Sequence, residues 1–205
     1  MRLKVAVPMM LLLLLCACGA AKDSAQIPVS FRTSLISAGG CGYTLDLTAD
    51  YGEYLREYRL SCDCPVMGET SFTVLFPEEV SGITATVGGD SASVAYEDTI
   101  LAVEQFSTRR LSPMAAPYLL AKAWSEGYIS SWGADGDLLA VCYTLGYGNR
   151  QIEVRTWFSG EIPVRAEISD GINTMISCGI TELTLQKKAN ADGQNFETDM
   201  GGGGS

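Results

Sequence analysis

From Cys41 onward the chain consists largely of short runs that alternate apolar and polar residues, separated by turns rich in glycine or acid. A period of two puts one set of side chains on one face of an extended strand and half-buries it. Tyr43, Leu45, Leu47 and Ala49 form one set, and Tyr54, Tyr58, Leu60, Cys62 and Cys64 the next. Phe72, Val74 and Phe76 follow, then Ile83, Ala85 and Val87, then Ala92, Val94 and Tyr96, then Ile100 to Phe106. The last third repeats the pattern through Leu139 to Leu145, Ile152 to Phe158, Ile162 to Ile168 and Ile176 to Ile180. Val29, Phe31, Thr33 and Leu35 alternate as well and predict a first strand. Such a meander of about eleven or twelve strands predicts an antiparallel sandwich or barrel, and nothing in the order predicts a parallel sheet.

Aligned apolar faces predict three hairpin registers. If Asp50 faces Glu53 across Tyr51-Gly52, then Leu45 faces Tyr58, Tyr43 faces Leu60 and Cys41 faces Cys62. That register makes Cys41 and Cys62 the candidate disulfide, with Cys64 a diagonal neighbour. A structural role for these cysteines outweighs a soft-metal or redox role, because further ligands or a helix are missing. Across Gly148-Asn149, with Tyr147 facing Arg150, Leu139 to Leu145 meets Ile152 to Phe158, and Cys142 points to the opposite face beside Arg155. A three-residue loop, Asp170 to Ile172, would set Val164 against Cys178 and Ile162 against Ile180.

One helix interrupts the strands. Ser112 caps it, Pro113 suits its first position, Pro117 disturbs its first turn, and Gly127 stops it after Glu126. Met114, Tyr118, Leu120, Ala121 and Trp124 give it a broad apolar stripe. Packing on the sheet accounts for that stripe, and a lid over an apolar cavity is the sharper alternative.

The N-terminus sets the compartment. Arg2 and Lys4 precede a leucine run, Leu11 to Leu15, too short for a comfortable membrane span and typical of a secretory signal. Leu15-Cys16-Ala17-Cys18 resembles the lipobox of bacterial lipoproteins. The resemblance implies that residues 1–17 are removed and that Cys18 carries a diacylglyceryl thioether, anchoring the protein to the outer face of a membrane. Cys16 is a poorer site because Leu15 would fill the small subsite before it. The alternative is an ordinary signal cut after Ala17 or Ala21. Residues 18–26 read as lipidated cysteine and polar tether, 27–185 as the domain, and 186–205 as a disordered tail ending in a linker-like Gly-Ser run.

Composition excludes several functions. The chain carries 24 acidic and 14 basic residues and no histidine. An acidic surface disfavours nucleic acid and anionic headgroups. Absence of histidine removes His-based triads, His general bases and His metal sites. Glu78-Glu79 reads as a solvated turn, and Glu104, Asp135, Asp137 and Glu167 have no sequence reason to converge. No nucleophile elbow, phosphate loop or metal-spaced cluster is present, so the reading is a non-enzyme that needs no cofactor and no metal.

The strand order, the mid-chain helix, Ser81-Gly82-Ile83, Leu111-Ser112-Pro113 and Pro163-Val164-Arg165-Ala166-Glu167-Ile168 together resemble the LolA/LolB-like superfamily over about Ile27 to Leu185. Clostridial LolA-like lipoproteins, some tied to spore germination, are similar over the same span. The resemblance implies a mainly β fold: a strongly curved, unclosed antiparallel β-barrel covered by one or more helices. It also implies a concave face that holds acyl chains or a hydrophobic partner. Candidate cavity residues are Phe31, Leu45, Tyr58, Phe72, Val74, Val141, Val154, Phe158 and Val164, each of which also reads as plain core. The expected function is a membrane-anchored extracytoplasmic lipoprotein binding a lipid, acyl chain or lipidated ligand. The alternative is a protein-interaction or scaffold lipoprotein with a filled half-barrel.

Overall fold

The computed structural model describes residues 18–50, 52, 55–88, 92–96, 99–103, 112–148, 151–170 and 174–186. The signal segment, the Tyr147–Arg150 pairing and the tail after residue 186 lie outside the described residues.

Helix α1 runs from Cys18 to Ala38. It takes in the expected first strand, which is corrected to a helix, and also spans the residues 18–26 expected as a tether. Ile27, Phe31 and Leu35 stand four residues apart, and this helical period wins over the period of two that shares Phe31 and Leu35. Phe31 and Leu35 are buried, whereas Val29 is 54% exposed, which no half-buried strand face would allow. Thr33 Oγ1 donates to the Val29 carbonyl, and Gly39 ends the helix at φ +88°, its N–H reaching the Leu35 and Ile36 carbonyls. Only a residue without a Cβ enters that left-handed region cheaply.

Among the described residues, eleven strands then form one antiparallel sheet. They are β1 (Gly40–Asp50), β2 (Leu55–Pro65), β3 (Thr70–Phe76), β4 (Thr84–Val87), β5 (Ala92–Tyr96), β6 (Thr99–Val103), β7 (Tyr128–Asp135), β8 (Leu138–Leu145), β9 (Ile152–Ser159), β10 (Ile162–Ser169) and β11 (Thr174–Leu185). Their order in space is β6-β5-β4-β3-β2-β1-β11-β10-β9-β8-β7, so β6 and β7 are open edges and the barrel is unclosed. The first and last strands meet at the centre, where β1 pairs with β11.

A 3-10 turn, Pro113–Ala115, leads into helix α2, Ala116–Glu126. Pro117 falls in the first turn of α2, where its missing N–H costs nothing. Gly127 stops the helix as expected but for a steric reason: a Cβ there would lie 2.6 Å from the Ala123 carbonyl oxygen. Helix α2 touches β2 and β3 on one side and β8 and β9 on the other. A helix of eleven residues is about 16 Å long, while β2 and β8 stand five strand spacings apart, about 24 Å if flat. The sheet therefore curls around α2.

The β8–β9 register is the one expected, Leu139 opposite Phe158 and Tyr143 opposite Val154, with Cys142 opposite Arg155. The other two registers are corrected by two residues. Asp50 pairs with Leu55, which sets Leu45 against Leu60, Tyr43 against Cys62 and Cys41 against Cys64. In β10–β11, Ala166 meets Cys178 and Ile168 meets Ile176. A shift of two keeps every side chain on its own face, so apolar matching alone does not discriminate between these registers. Strand β7 has no counterpart in the sequence reading. A register shift between Ile129 and Ser131 breaks its alternation.

The core lies between the curled sheet and the two helices. Trp124 is fully buried at its centre and donates its indole N–H to Thr156 Oγ1 at 3.1 Å. Phe31 and Tyr43 meet its ring edge-on, with centroids 5.7 and 5.6 Å away. Arg32 of α1 donates to the carbonyls of Ala123, Trp124 and Gly127, placing a cation at the C-terminal end of α2, where it complements the helix dipole. On the outer face Trp157 is buried under the Arg165 guanidinium, 3.8 Å from its ring centroid, and donates to Asp135 at 2.7 Å, tying the end of β7 back to β9.

Trp124→Phe is expected to lower the unfolding free energy by roughly 2–4 kcal/mol, through lost volume and an unpaired Thr156 hydroxyl. Urea denaturation checks this; a change below about 0.5 kcal/mol would contradict the central place given to Trp124.

Candidate functional site

Seven of the nine expected cavity residues lie in the packed core. Phe31, Leu45, Phe72, Val74, Val141, Val154 and Phe158 are all at most 5% exposed. Phe31 reaches that core from α1, packing against Trp124 and Phe158. Tyr58 and Val164 are half-buried, Val164 because it sits in a register shift between Pro163 and Arg165. Neither of the two open grooves described below is lined by any of the nine.

The first groove, about 430 Å³, runs between α1, the β2–β3 connection and α2. Leu35 and Ile36 form one wall, Pro65, Val66 and Met67 another, and Tyr118 and Ala121 the third, with Cys64 and Thr70 also in the lining. Ile36 is half exposed and Met67 90% exposed, so apolar surface faces the opening. The second groove, about 590 Å³, is lined by Tyr128, Thr144, Leu145, Tyr147 and Gln151 among others. Both include Lys122 and Glu126, so the two grooves meet over the last turn of α2.

Lys122 is the cation of this region. Its Nζ donates to Tyr118 Oη at 3.2 Å and pairs with Glu126 at 3.2 Å. The bond to Tyr118, then the Glu126 carboxylate, holds the ammonium charged above its usual range. Its aliphatic stem covers apolar wall while the charge stays at the rim. Apolar walls with a cation at the rim suit an amphiphile whose head accepts hydrogen bonds.

Among the described residues, five cysteines carry free thiols in the structure. Cys41, Cys62, Cys64 and Cys178 are buried, and Cys142 is half-buried on the other face, where Arg155 Nε donates to its sulfur at 3.4 Å. The expected Cys41–Cys62 bridge does not fit the register, because Tyr43 stands opposite Cys62. Burial pushes the Cys41 and Cys62 thiols far up and those of Cys64 and Cys178 up to about 12. Buried, protonated thiols are poor nucleophiles and poor metal ligands. Among the described residues, no group of three His, Cys, Asp or Glu is placed to hold a metal ion.

No family model and no curated protein matches the chain. Similar solved structures include a LolA-superfamily protein from Nitrosomonas europaea, 9% identical, covering 78% of this chain and 94% of that one, with a TM-score of 0.43. A DUF1329-family protein from Desulfovibrio piger is 9% identical over 80% of this chain and 92% of its own, with a TM-score of 0.48. Lipoprotein LppX from Mycobacterium tuberculosis is 12% identical over 80% and 98%, with a TM-score of 0.38. At these scores the likeness carries no argument about ligand or activity, and the site rests on its own geometry.

Sequence reasoning missed the groove because one wall belongs to α1, which alternation disguised as a strand. The signal that would have found it is the spacing of Ile27, Phe31 and Leu35, which leaves Ile36 beside the buried stripe. Glu78 and Glu79 form an exposed 3-10 turn with Val80.

The buried thiols give a sign to the pH dependence. They ordinarily ionise near 9.0 and keep their protons in the folded state because of burial. Unfolding returns them to the ordinary value, so above it the unfolded chain binds fewer protons. Under reducing conditions, stability is expected to be fully present below about pH 9 and to fall as pH rises toward the folded values. Urea midpoints from about pH 7 to about pH 11 check this, and a level profile would show that the thiols are not buried as described.

Proposed function

We propose that this chain is a membrane-anchored extracytoplasmic lipoprotein that holds the acyl chain of a lipid or lipidated ligand in the groove between α1, the β2–β3 connection and α2. The observation that carries the reading is that groove: apolar walls from Leu35, Ile36, Val66, Met67 and Ala121, with the Lys122 charge at its rim. Its volume falls in the range of small-molecule sites, about 300–1,000 Å³. The sequence supports the anchor, since Cys18 follows a leucine-rich segment in lipobox-like spacing. Two or more acyl chains hold a protein stably where one does not. The acidic surface leaves anchoring to those chains and not to headgroup attraction.

A second reading is a protein-interaction lipoprotein with a filled half-barrel. It is favoured by the packed inner face of the sheet and by the open edge strand β7, where Tyr128 is 73% and Trp132 50% exposed.

Cys18→Ala is expected to move the protein from the membrane fraction to the soluble one, read by fractionation and immunoblot. Native mass spectrometry of that soluble protein, purified without detergent, is expected to show a stoichiometric fatty acid, phospholipid or acyl peptide. Ala121→Trp fills the groove and is expected to lower loading about tenfold or more, a difference of about 1.4 kcal/mol. Phe72→Trp overpacks the core instead and lowers stability by roughly 1–3 kcal/mol. A clean apo mass after incubation with fatty acid and phospholipid would overturn the lipid reading, and a co-purifying protein would then support the second.

A further inference from the structure

Strands β1 and β2 pair along their whole length, from Gly40 opposite Pro65 to Asp50 opposite Leu55. Cys41 stands directly opposite Cys64 in that ladder. Just beyond it the Val66 N–H donates to the Gly39 carbonyl at 2.9 Å. Hydrogen-bonded pairs recur every second residue in an antiparallel ladder, so Cys41 and Cys64 occupy such a pair, with Cα atoms about 5.5 Å apart. A disulfide spans Cα separations of about 4.4–6.8 Å. Both side chains project to the inner face and are at most 1% exposed. After burial itself, the neighbour that most opposes ionisation of Cys41 is Cys64.

The other cysteines are placed differently. Cys62 faces Tyr43, and two positions along one strand separate it from Cys64 by about 7 Å, too far for a bridge without distortion. Cys178 lies on β11 opposite Leu47, and Cys142 points to the outer face beside Arg155.

We propose that Cys41 and Cys64 are the pair that oxidises in this protein, forming a cross-strand disulfide at the end of the β1–β2 hairpin. The Cys64 sulfur lies 3.5 Å from Tyr43 Oη and 3.9 Å from the Pro117 carbonyl oxygen. Turning it toward Cys41 leaves Tyr43 its own bond to that carbonyl. The oxidant is the disulfide of an extracytoplasmic thiol oxidoreductase. One cysteine thiolate attacks that disulfide, releasing one oxidoreductase thiol and leaving a mixed disulfide. The second cysteine thiolate then displaces the other oxidoreductase sulfur. Two protons and two electrons leave the pair, and the oxidoreductase ends as a dithiol. The step belongs to the newly exported chain, because in the folded domain both thiols are protonated and out of reach. Cys64 also lines the first groove, so the bond fixes the end of β2 from which the Pro65–Met67 wall departs.

The proposal shares only its export step with the proposed function, and the fractionation above tests export separately. The test uses the full chain carrying Cys18→Ala, recovered from the extracytoplasmic compartment, denatured in iodoacetamide and weighed intact. With Cys16→Ala also introduced, five of the seven cysteines remain; three thiols are expected to be alkylated before reduction and all five after it. Cleavage before Asp63 separates Cys62 from Cys64, and the bridged peptide is expected to contain Cys41 and Cys64. Cys64→Ser is expected to abolish the bridge, and Cys62→Ser to leave it intact. Five alkylated thiols before reduction, or a bridge from Cys41 to Cys62, would overturn the proposal.

Discussion

The bond from the Trp124 indole to Thr156 is the point on which the curl of the sheet depends. Both groups are fully buried, where an unpaired N–H or hydroxyl would cost about 1–3 kcal/mol. Each therefore fixes the other. Thr156 interrupts an inner face otherwise occupied by Val154 and Phe158, and the indole explains why a hydroxyl is tolerated there. Trp124 sits on a helix flanked by β2–β3 and β8–β9, and its ring also meets α1 through Phe31 and β1 through Tyr43. One side chain thus holds two distant parts of the sheet and both helices in contact. Arg32 acts beside it, joining α1 to the end of α2 through three carbonyls. Among the described residues β6 and β7 are not paired, so these contacts take the place of closure.

What was legible in the sequence follows from the same physics. Alternation identified ten of the eleven described strands, and the β8–β9 register came out as the aligned apolar faces predicted. It failed by two residues at β1–β2 and β10–β11, where two registers match the faces equally well and only turn length separates them. Helix α1 was hidden because Phe31 and Leu35 satisfy both periods; Val29 made the strand reading attractive, and Ile27 would have decided against it. Strand β7 was hidden by its bulge. Each failure arose where a local pattern was ambiguous and tertiary contact decided.

The candidate site shows how such errors propagate. Residues on the inner faces of the strands were identified as apolar, but whether they enclose space depends on what covers them. Phe31 and Trp124 fill that space from the helices. The first groove lies at the margin, between α1, α2 and the β2–β3 connection. Its walls come from three separate stretches of chain, none of which is distinctive alone. Lys122 was similarly inconspicuous, a lysine on an amphipathic helix, until the grooves on either side of it were known.

Helix α1 is continuous from Cys18 to Ala38. At 1.5 Å per residue, Cys18 stands about 20 Å along the rod from Phe31, whose ring packs on Trp124. A load applied at the first turn travels through backbone hydrogen bonds directly into the core, where it acts as shear on the Phe31–Trp124 contact and on the three bonds of Arg32. Pro28 cannot donate one of those backbone bonds, and it is itself buried, so packing covers the gap in the ladder. Whatever holds residue 18 sets the tilt of the helix, and the tilt sets the direction in which the groove beside Ile36 faces. The orientation of the first turns of this helix and the aim of the groove are mechanically one property.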